Sequence, residues 1–144
     1  MENLKITIVD SFDSSLVEPI GRMLQQLTGT KTTFDEEQLR IIIRDMSCRL
    51  FVARSQGEVV GMFSLCTYSS PSMRKVWLED VVVDSAARGR GIGRAMVAYA
   101  INFARQIAPC CLMLTSSPHR TEANALYRSM GFEPKQTNLY KMDF

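Results

Sequence analysis

The sequence predicts a mixed α/β (α+β) fold in one domain, residues 1–144: a central sheet of six to seven strands with about four helices on both faces. Three observations predict it. Short apolar, β-branched runs alternate along the chain with segments of helical period. The run Val81-Val82-Val83 is β-branched on both faces, as in a strand at the centre of a sheet. A chain of 144 residues, 46% hydrophobic and 22% charged, suits a single ordinary core.

Lys5 to Val9 alternates weakly and reads as the first strand. Ser11 to Thr30 places Leu16, Ile20, Met23, Leu24 and Leu27 at helical spacing, with Pro19 suited to a first turn and Gly29 to the stop. Thr33 with Glu36 matches a capping box, and the helix it opens holds Leu39, Ile42, Ile43 and Met46. Arg49–Arg54 and Glu58–Tyr68 read as strands joined at Gln56-Gly57, hence a hairpin. After the loop Ser69-Ser70-Pro71-Ser72, Lys75–Val83 is the strongest strand signal. Gly91 to Ile107 is a helix with Ile92, Met96, Ala100, Phe103, Ala104 and Ile107 on one stripe, and Pro109 ends it. Cys110–Thr115 reads as a buried strand. Ser117 then caps a helix with Pro118 at its first position; it buries Ala123, Leu126, Tyr127 and Met130, and Gly131 suits its exit. Phe132 to Phe144 is expected to hold the last one or two strands.

Net charge is +2, from 17 basic and 15 acidic residues, which offers no electrostatic case for nucleic acid or an acidic membrane surface. No apolar run approaches a membrane span, and the start MENLKITIVD lacks the pattern of a secretory signal. A cytoplasmic protein is therefore expected. The four cysteines, Cys48, Cys66, Cys110 and Cys111, have no C-x-x-C spacing, and His119 is the single histidine, so no metal site is expected. The thiols read as buried small hydrophobes in a reducing compartment.

The chemistry concentrates in Asp84 to Met96. A buried strand ends at Val83 and a helix begins near Gly91, with glycines at 89, 91 and 93 between and beside them. Glycine lets backbone N–H groups approach a ligand, and a helix N-terminus adds unpaired N–H groups and a positive dipole end. Arg88, Arg90 and Arg94 bring cations to the same place. The combination predicts a phosphate or pyrophosphate site. It is not the triphosphate loop, because Arg94 rather than Lys-Ser/Thr follows Gly93. Nor is it the dinucleotide fingerprint: Arg94 and Met96 break both registers, and Cys110, Cys111 and Leu112 stand where an acidic residue would be needed.

What remains is Arg-x-x-Gly-x-Gly at Arg88, Gly91 and Gly93. This resembles the acetyl-CoA loop of the GCN5-related N-acetyltransferase (GNAT) superfamily. The preceding WLEDVVVD, residues 77–84, resembles that family's fourth strand, and ANALYRSMGF, residues 123–132, its helix with a tyrosine and a Gly-Phe exit. The order of elements agrees, so the resemblance covers the whole chain and is strongest from residue 76 to 132.

The resemblance implies an enzyme that moves an acetyl group from acetyl-CoA to a primary amine by direct attack in a ternary complex. The amine must lose a proton, the thioester oxygen needs donors as it gains charge, and the departing thiolate needs a proton. Tyr127 matches the family's proton donor, and it also reads as a core tyrosine. Glu79 matches the base or water-organiser, with Asp80 as the other candidate; an exposed or capping acid is the plainer reading. Strand alternation puts Glu79 and Val81 on one face, Asp80 and Val82 on the other, unless a bulge intervenes. The backbone N–H groups of Val81 and Val83 would contact the pantetheine arm or thioester. The implied cofactor-binding set is Val81, Val82, Val83, Arg88, Gly89, Arg90, Gly91, Ile92, Gly93, Arg94, Arg120, Asn124 and Tyr127. One departure stands out: Arg120 occupies the position where many members have asparagine, and Asn124 follows Ala123. Arg120 suits a CoA phosphate, a substrate carboxylate or plain solvent. His119 reads as a surface or capping residue.

Acceptor choice would come from residues 12–46 and 68–75, which mix Asp35, Glu36 and Glu37 with Lys31, Arg40, Arg44 and Arg74. Without a dominant acidic trough, a small amine or amino acid is favoured over a protein N-terminus or lysine. A non-catalytic acetyl-CoA sensor or assembly module is the rival reading, and a nucleotide-binding module a third. The resemblance also makes Asn138 to Phe144 a candidate homodimer interface.

Overall fold

Backbone hydrogen bonds join five strands into one sheet in chain order. The computed structural model describes residues 3–144. Its strands are β1 (Leu4–Ile8), β2 (Cys48–Ser55), β3 (Glu58–Ser69), β4 (Arg74–Val83) and β5 (Cys111–Met113). The first three junctions are antiparallel and β4–β5 is parallel, as a helical crossover between them requires. Helices α1 (Val17–Thr28) and α2 (Glu36–Arg44) lie between β1 and β2 in the chain, α3 (Ile92–Gln106) crosses from β4 to β5, and α4 (Thr121–Ser129) follows β5.

Alternation along the strands builds a core on each face of the sheet. On one face Phe51, Phe63, Leu65, Val76 and Leu78 pack with Met96, Val97 and Ala100 of α3 and Tyr127 of α4. On the other, Leu50, Val52, Met62 and Val82 pack with Ile20 and Met23 of α1 and Leu39 of α2. Helices therefore cover both faces, as the sequence predicts. The hairpin also forms: Gln56 and Gly57 both adopt left-handed φ, 51° and 82°, the geometry of a two-residue turn that matches strand twist.

Several local expectations are corrected. α2 is capped by Asp35, not Thr33: the Asp35 side chain accepts from Gln38 N–H, and the Gln38 side chain accepts from Asp35 N–H. The helix ends before Met46, which is exposed. α4 begins after Arg120 rather than at Pro118, because Ser117 to Arg120 closes a turn of its own, with Arg120 N–H on Ser117 O at 3.0 Å. β5 is shorter than Cys110–Thr115. Cys48 and Cys66 stand opposite each other on β2 and β3, Cα atoms 4.0 Å apart, and are disulfide-linked; Cys110 and Cys111 are free. The expectation of free thiols fails for the first pair because strand register brings together residues 18 apart in sequence.

Among the described residues the sheet has five strands where six to seven were expected. Residues 133–144 run on without forming one. Alternation marks which residues could sit in a strand, but a strand exists only where a neighbour supplies hydrogen bonds. Among the described residues, no helix is long and apolar enough to cross a membrane.

Candidate active site

β4 pairs with β5 over Lys75–Trp77 against Cys111–Met113 and no further. From Leu78 to Val83 its outer edge faces no strand among the described residues. Met62 lies opposite Val82, and Asp84 N–H bonds Val60 O at 2.8 Å. The N–H of Val82 therefore points to β3, and alternation turns those of Val81 and Val83 to the open side.

Asp80 breaks the alternation. Ser64 pairs with Glu79 and Met62 with Val82, so β4 carries one more residue than β3 across this interval. Asp80 takes a left-handed φ of 51°, the mark of a one-residue β-bulge. Glu79 consequently shares its face with Val82, towards α1 and α2, while Val81 packs in the core beneath α3 and α4. The unbroken alternation that pairs Glu79 with Val81 is thus overturned. Glu79 is solvent-accessible, yet partial desolvation of its carboxyl, added to the neighbouring Asp80 charge, raises its pKa above the ordinary carboxylate value.

Tyr127 lies on the opposite face, 7% exposed, with its ring edge-to-face on Phe132 at 5.9 Å. Its hydroxyl has no hydrogen-bond partner among the described residues. Burial raises its pKa, opposed in part by the Arg120 charge, so the phenol stays protonated at neutral pH. Arg120 precedes the first turn of α4. Asn124 donates from Nδ2 to Ser117 O and Arg120 O, both at 2.9 Å, leaving only its oxygen for another contact. Glu79 and Tyr127 are not brought together on one face; they flank the unpaired β4 edge from opposite sides of the sheet.

The loop from β4 to α3 begins with a 3-10 turn, Ser85–Ala87, capped by Asp84, and reaches α3 through Gly89 and Gly91 at φ 79° and 78°. Gly91 is the N-cap residue and gives no side-chain cap; the first turn holds no acidic residue. The first amide with a helical acceptor is Ala95, on Gly91 O, so those of Ile92, Gly93 and Arg94 lack one. A Cβ on Gly93 would touch Leu126 of α4 and Val83 of β4 at 3.6 and 3.7 Å, so its small size lets the start of α3 sit close to both.

Arg88 and Arg90 are exposed and donate through Nε to Val83 O and Ala87 O, each at 3.3 Å. Arg94 turns to α4 and donates to Ser129 Oγ at 2.9 Å. Among the described residues no carboxylate pairs with any of these arginines or with Arg120. Three cations at the positive end of a helix, with no acid to offset them, make a site that a polyphosphate satisfies. Ser116, three residues past β5 where that chain leaves β4, adds a buried Oγ with no partner. Neither Ser116 nor Arg22 and Gln26 of α1, which brace the Asp84 carboxylate with hydrogen bonds, could be read from the sequence. Nothing local distinguishes an unpartnered serine, and the braces come from a distant helix.

A family model described as Acetyltransferase (GNAT) family matches residues 20–132. The Uncharacterized N-acetyltransferase YhfO of Bacillus subtilis (strain 168) is 34% identical over 86 residues, 58% of this chain and 58% of the relative. The Streptothricin acetyltransferase of Streptomyces lavendulae is 36% identical over 89 residues, covering 61% of this chain and 46% of the relative. The chain thus spans roughly half the length of these relatives. Among solved structures, a putative acetyltransferase from Agrobacterium tumefaciens str. C58 superposes with a TM-score of 0.83 at 22% identity, over 96% of this chain and 99% of the other.

Proposed function

This chain belongs to the GNAT family of acetyltransferases, and from that premise we propose that it moves an acetyl group from acetyl-CoA to a primary amine, with the cytoplasm as its setting. The observation that carries this reading is the α3 N-terminus, where Arg88, Arg90 and Arg94 have no acidic partner among the described residues. The pyrophosphate is held by the Ile92 and Gly93 N–H groups and by Arg88 and Arg90, with Gly89 and Gly91 letting the backbone approach. Arg94 and Arg120 add positive field. Asn124, through its oxygen, and Ser116 Oγ are contacts for the pantetheine arm, which runs along the open edge of β4 past Val82. Acetyl-CoA is the acyl donor; the residues supply positioning and proton transfer.

The Val81 and Val83 N–H groups donate to the thioester oxygen as charge builds there. Glu79, directly or through water, takes a proton from the amine on the α1–α2 side. The amine nitrogen bonds to the acetyl carbon, the carbon–sulfur bond breaks, and Tyr127 passes its proton to the leaving sulfur from the opposite side. A small amine or amino acid is favoured as acceptor over a protein N-terminus or lysine. Support comes from the mixed charge of residues 12–46 and from a relative named for streptothricin. Free CoA release across a panel of primary amines tests the reading. Turnover on a member of the panel supports it; acetyl-CoA binding with no turnover favours the sensor instead.

Glu79 sets a pH dependence. A base works ionised, and its pKa is raised by desolvation and then by Asp80. kcat/KM should therefore rise with pH through a limb lying above the ordinary carboxylate range. Glu79→Gln should remove that limb and lower kcat by about ten- to a hundred-fold. An unchanged profile would assign the proton to water alone.

A homodimer through residues 138–144 belongs to the same reading. Tyr140, Met142 and Phe144 alternate along an exposed tail, and β5 offers an edge that is unpaired among the described residues. Light scattering should return the mass of two chains, falling to one when Tyr140 and Met142 are both changed to aspartate. A monomer at every concentration would remove the dimer.

A further inference from the structure

Asp84 is the one charged side chain buried among the described residues, 9% exposed. It is the root of the loop assigned above to the pyrophosphate, and all its polar atoms are engaged. Oδ2 accepts from Arg22 Nε at 3.2 Å and Nη2 at 2.9 Å. Oδ1 accepts from Gln26 Nε2 and from Ala86 N–H, both at 3.3 Å. Its own N–H donates to Val60 O and its carbonyl accepts from Ala87 N–H, each at 2.8 Å. Gln26 closes the arrangement by accepting Ser85 N–H on Oε1 at 2.9 Å. Arg22 is itself held by Glu18 through Nη1, at 2.7 and 2.6 Å. Arg22 and Gln26 are four apart on α1, hence on one face of it.

A loop entering a helix through two glycines at positive φ has many conformations to lose, and ordering it on binding weakens affinity unless it is ordered beforehand. Arg88 and Arg90 brace the far half of the loop on the backbone carbonyls of Val83 and Ala87. The near half, Asp84 to Ala86, is tied to β3 by the Asp84 N–H, and among the described residues the side chains that reach it from outside the loop come from α1. We infer that Arg22 and Gln26 are positioning residues for the acetyl-CoA loop: they fix Asp84 and Ser85 so that the arginines and free amides beyond are already in place when the pyrophosphate arrives. Neither side chain touches the proposed pyrophosphate position. Burial alone would raise the Asp84 pKa, yet hydrogen bonds from Gln26, Ala86 and Arg22 hold it below the ordinary carboxylate value, as expected of an ionised anchor.

This inference rests on the acetyl-CoA reading of the loop, and the experiment separates the two. Acetyl-CoA affinity is measured by calorimetry, and kcat and both KM values by CoA release, for the full chain and its Arg22→Met, Gln26→Leu, Arg22→Lys and Asp84→Asn variants. Arg22→Met should weaken acetyl-CoA binding and raise its KM by about ten-fold, leaving kcat and the amine KM within about two-fold. Gln26→Leu should act in the same direction, and Arg22→Lys should recover most of the loss. In Arg22→Met with Asp84→Asn, the losses should be less than additive, since the second change removes the charge that the first leaves unpaired. Wild-type affinity in both Arg22→Met and Gln26→Leu overturns the inference while leaving the loop assignment standing. So does a loss shared equally by kcat and the amine KM, or one that lysine does not rescue. Failure of the wild-type chain to bind acetyl-CoA overturns the loop assignment, and this inference with it.

Discussion

Replacing Gly91 with aspartate should abolish acetyl-CoA binding, weakening affinity by about a hundred-fold or more, which corresponds to about 2.7 kcal/mol. Three effects act in the same direction. Gly91 holds φ 78°, and a residue with a Cβ adopts that conformation at a cost of about 1 kcal/mol. Gly91 is also the N-cap of α3 and offers no side-chain cap. Aspartate is among the best N-cap residues, so its carboxylate competes for the same amides that the pyrophosphate would use. Finally, its charge neutralises part of the field from Arg88 and Arg90 and repels the phosphates. Because a capping aspartate also stabilises a helix, the variant should fold. Calorimetry with acetyl-CoA checks affinity, and circular dichroism checks the fold. Gly91→Ala should lose less, since it carries the conformational cost without the competing charge. Normal affinity in the aspartate variant refutes the pyrophosphate assignment.

Tyr127→Phe should lower kcat by about ten-fold or more while leaving acetyl-CoA affinity nearly unchanged. The substitution isolates the chemistry. The ring is buried and stacked edge-on against Phe132, and phenylalanine keeps that packing. The hydroxyl makes no hydrogen bond within the described residues, so removing it leaves no protein group unsatisfied. Thermal stability should therefore hold. The pKa is raised by burial, which keeps the proton on the phenol until the thiolate departs. Steady-state kinetics at saturating acetyl-CoA measure the effect, and unchanged turnover removes Tyr127 from the catalytic set.

The glycine- and arginine-rich turn from β4 to α3 was legible because its information is local. Gly89, Gly91 and Gly93, the arginines between and beside them, a β-branched run before and a helical stripe after all lie within a few residues. The strand-to-helix turn they describe forms where expected. The helix that buries Tyr127 was equally legible, with its exit at Gly131, which takes a φ of 103°. The face of Glu79 was not. One extra residue at Asp80 reverses the alternation, and whether a strand bulges depends on its partner, here β3. The caps of α2 and α4 were misplaced by a few residues for a related reason: several polar side chains stood within reach of each helix start, and packing selected among them.

By itself the sequence determined the order of strands and helices from β1 to α4, the glycine- and arginine-rich start of α3 and the helix that carries Tyr127. These follow from backbone preference, periodicity and side-chain type within short windows. The tertiary structure decided which face Glu79 takes, which cysteines meet, that the tail finds no strand partner among the described residues, and that Asp84 is held by a helix some 60 residues upstream. Each of these depends on a neighbour brought close by folding, and a hydrogen bond or strand pairing is defined only once both of its partners are in place.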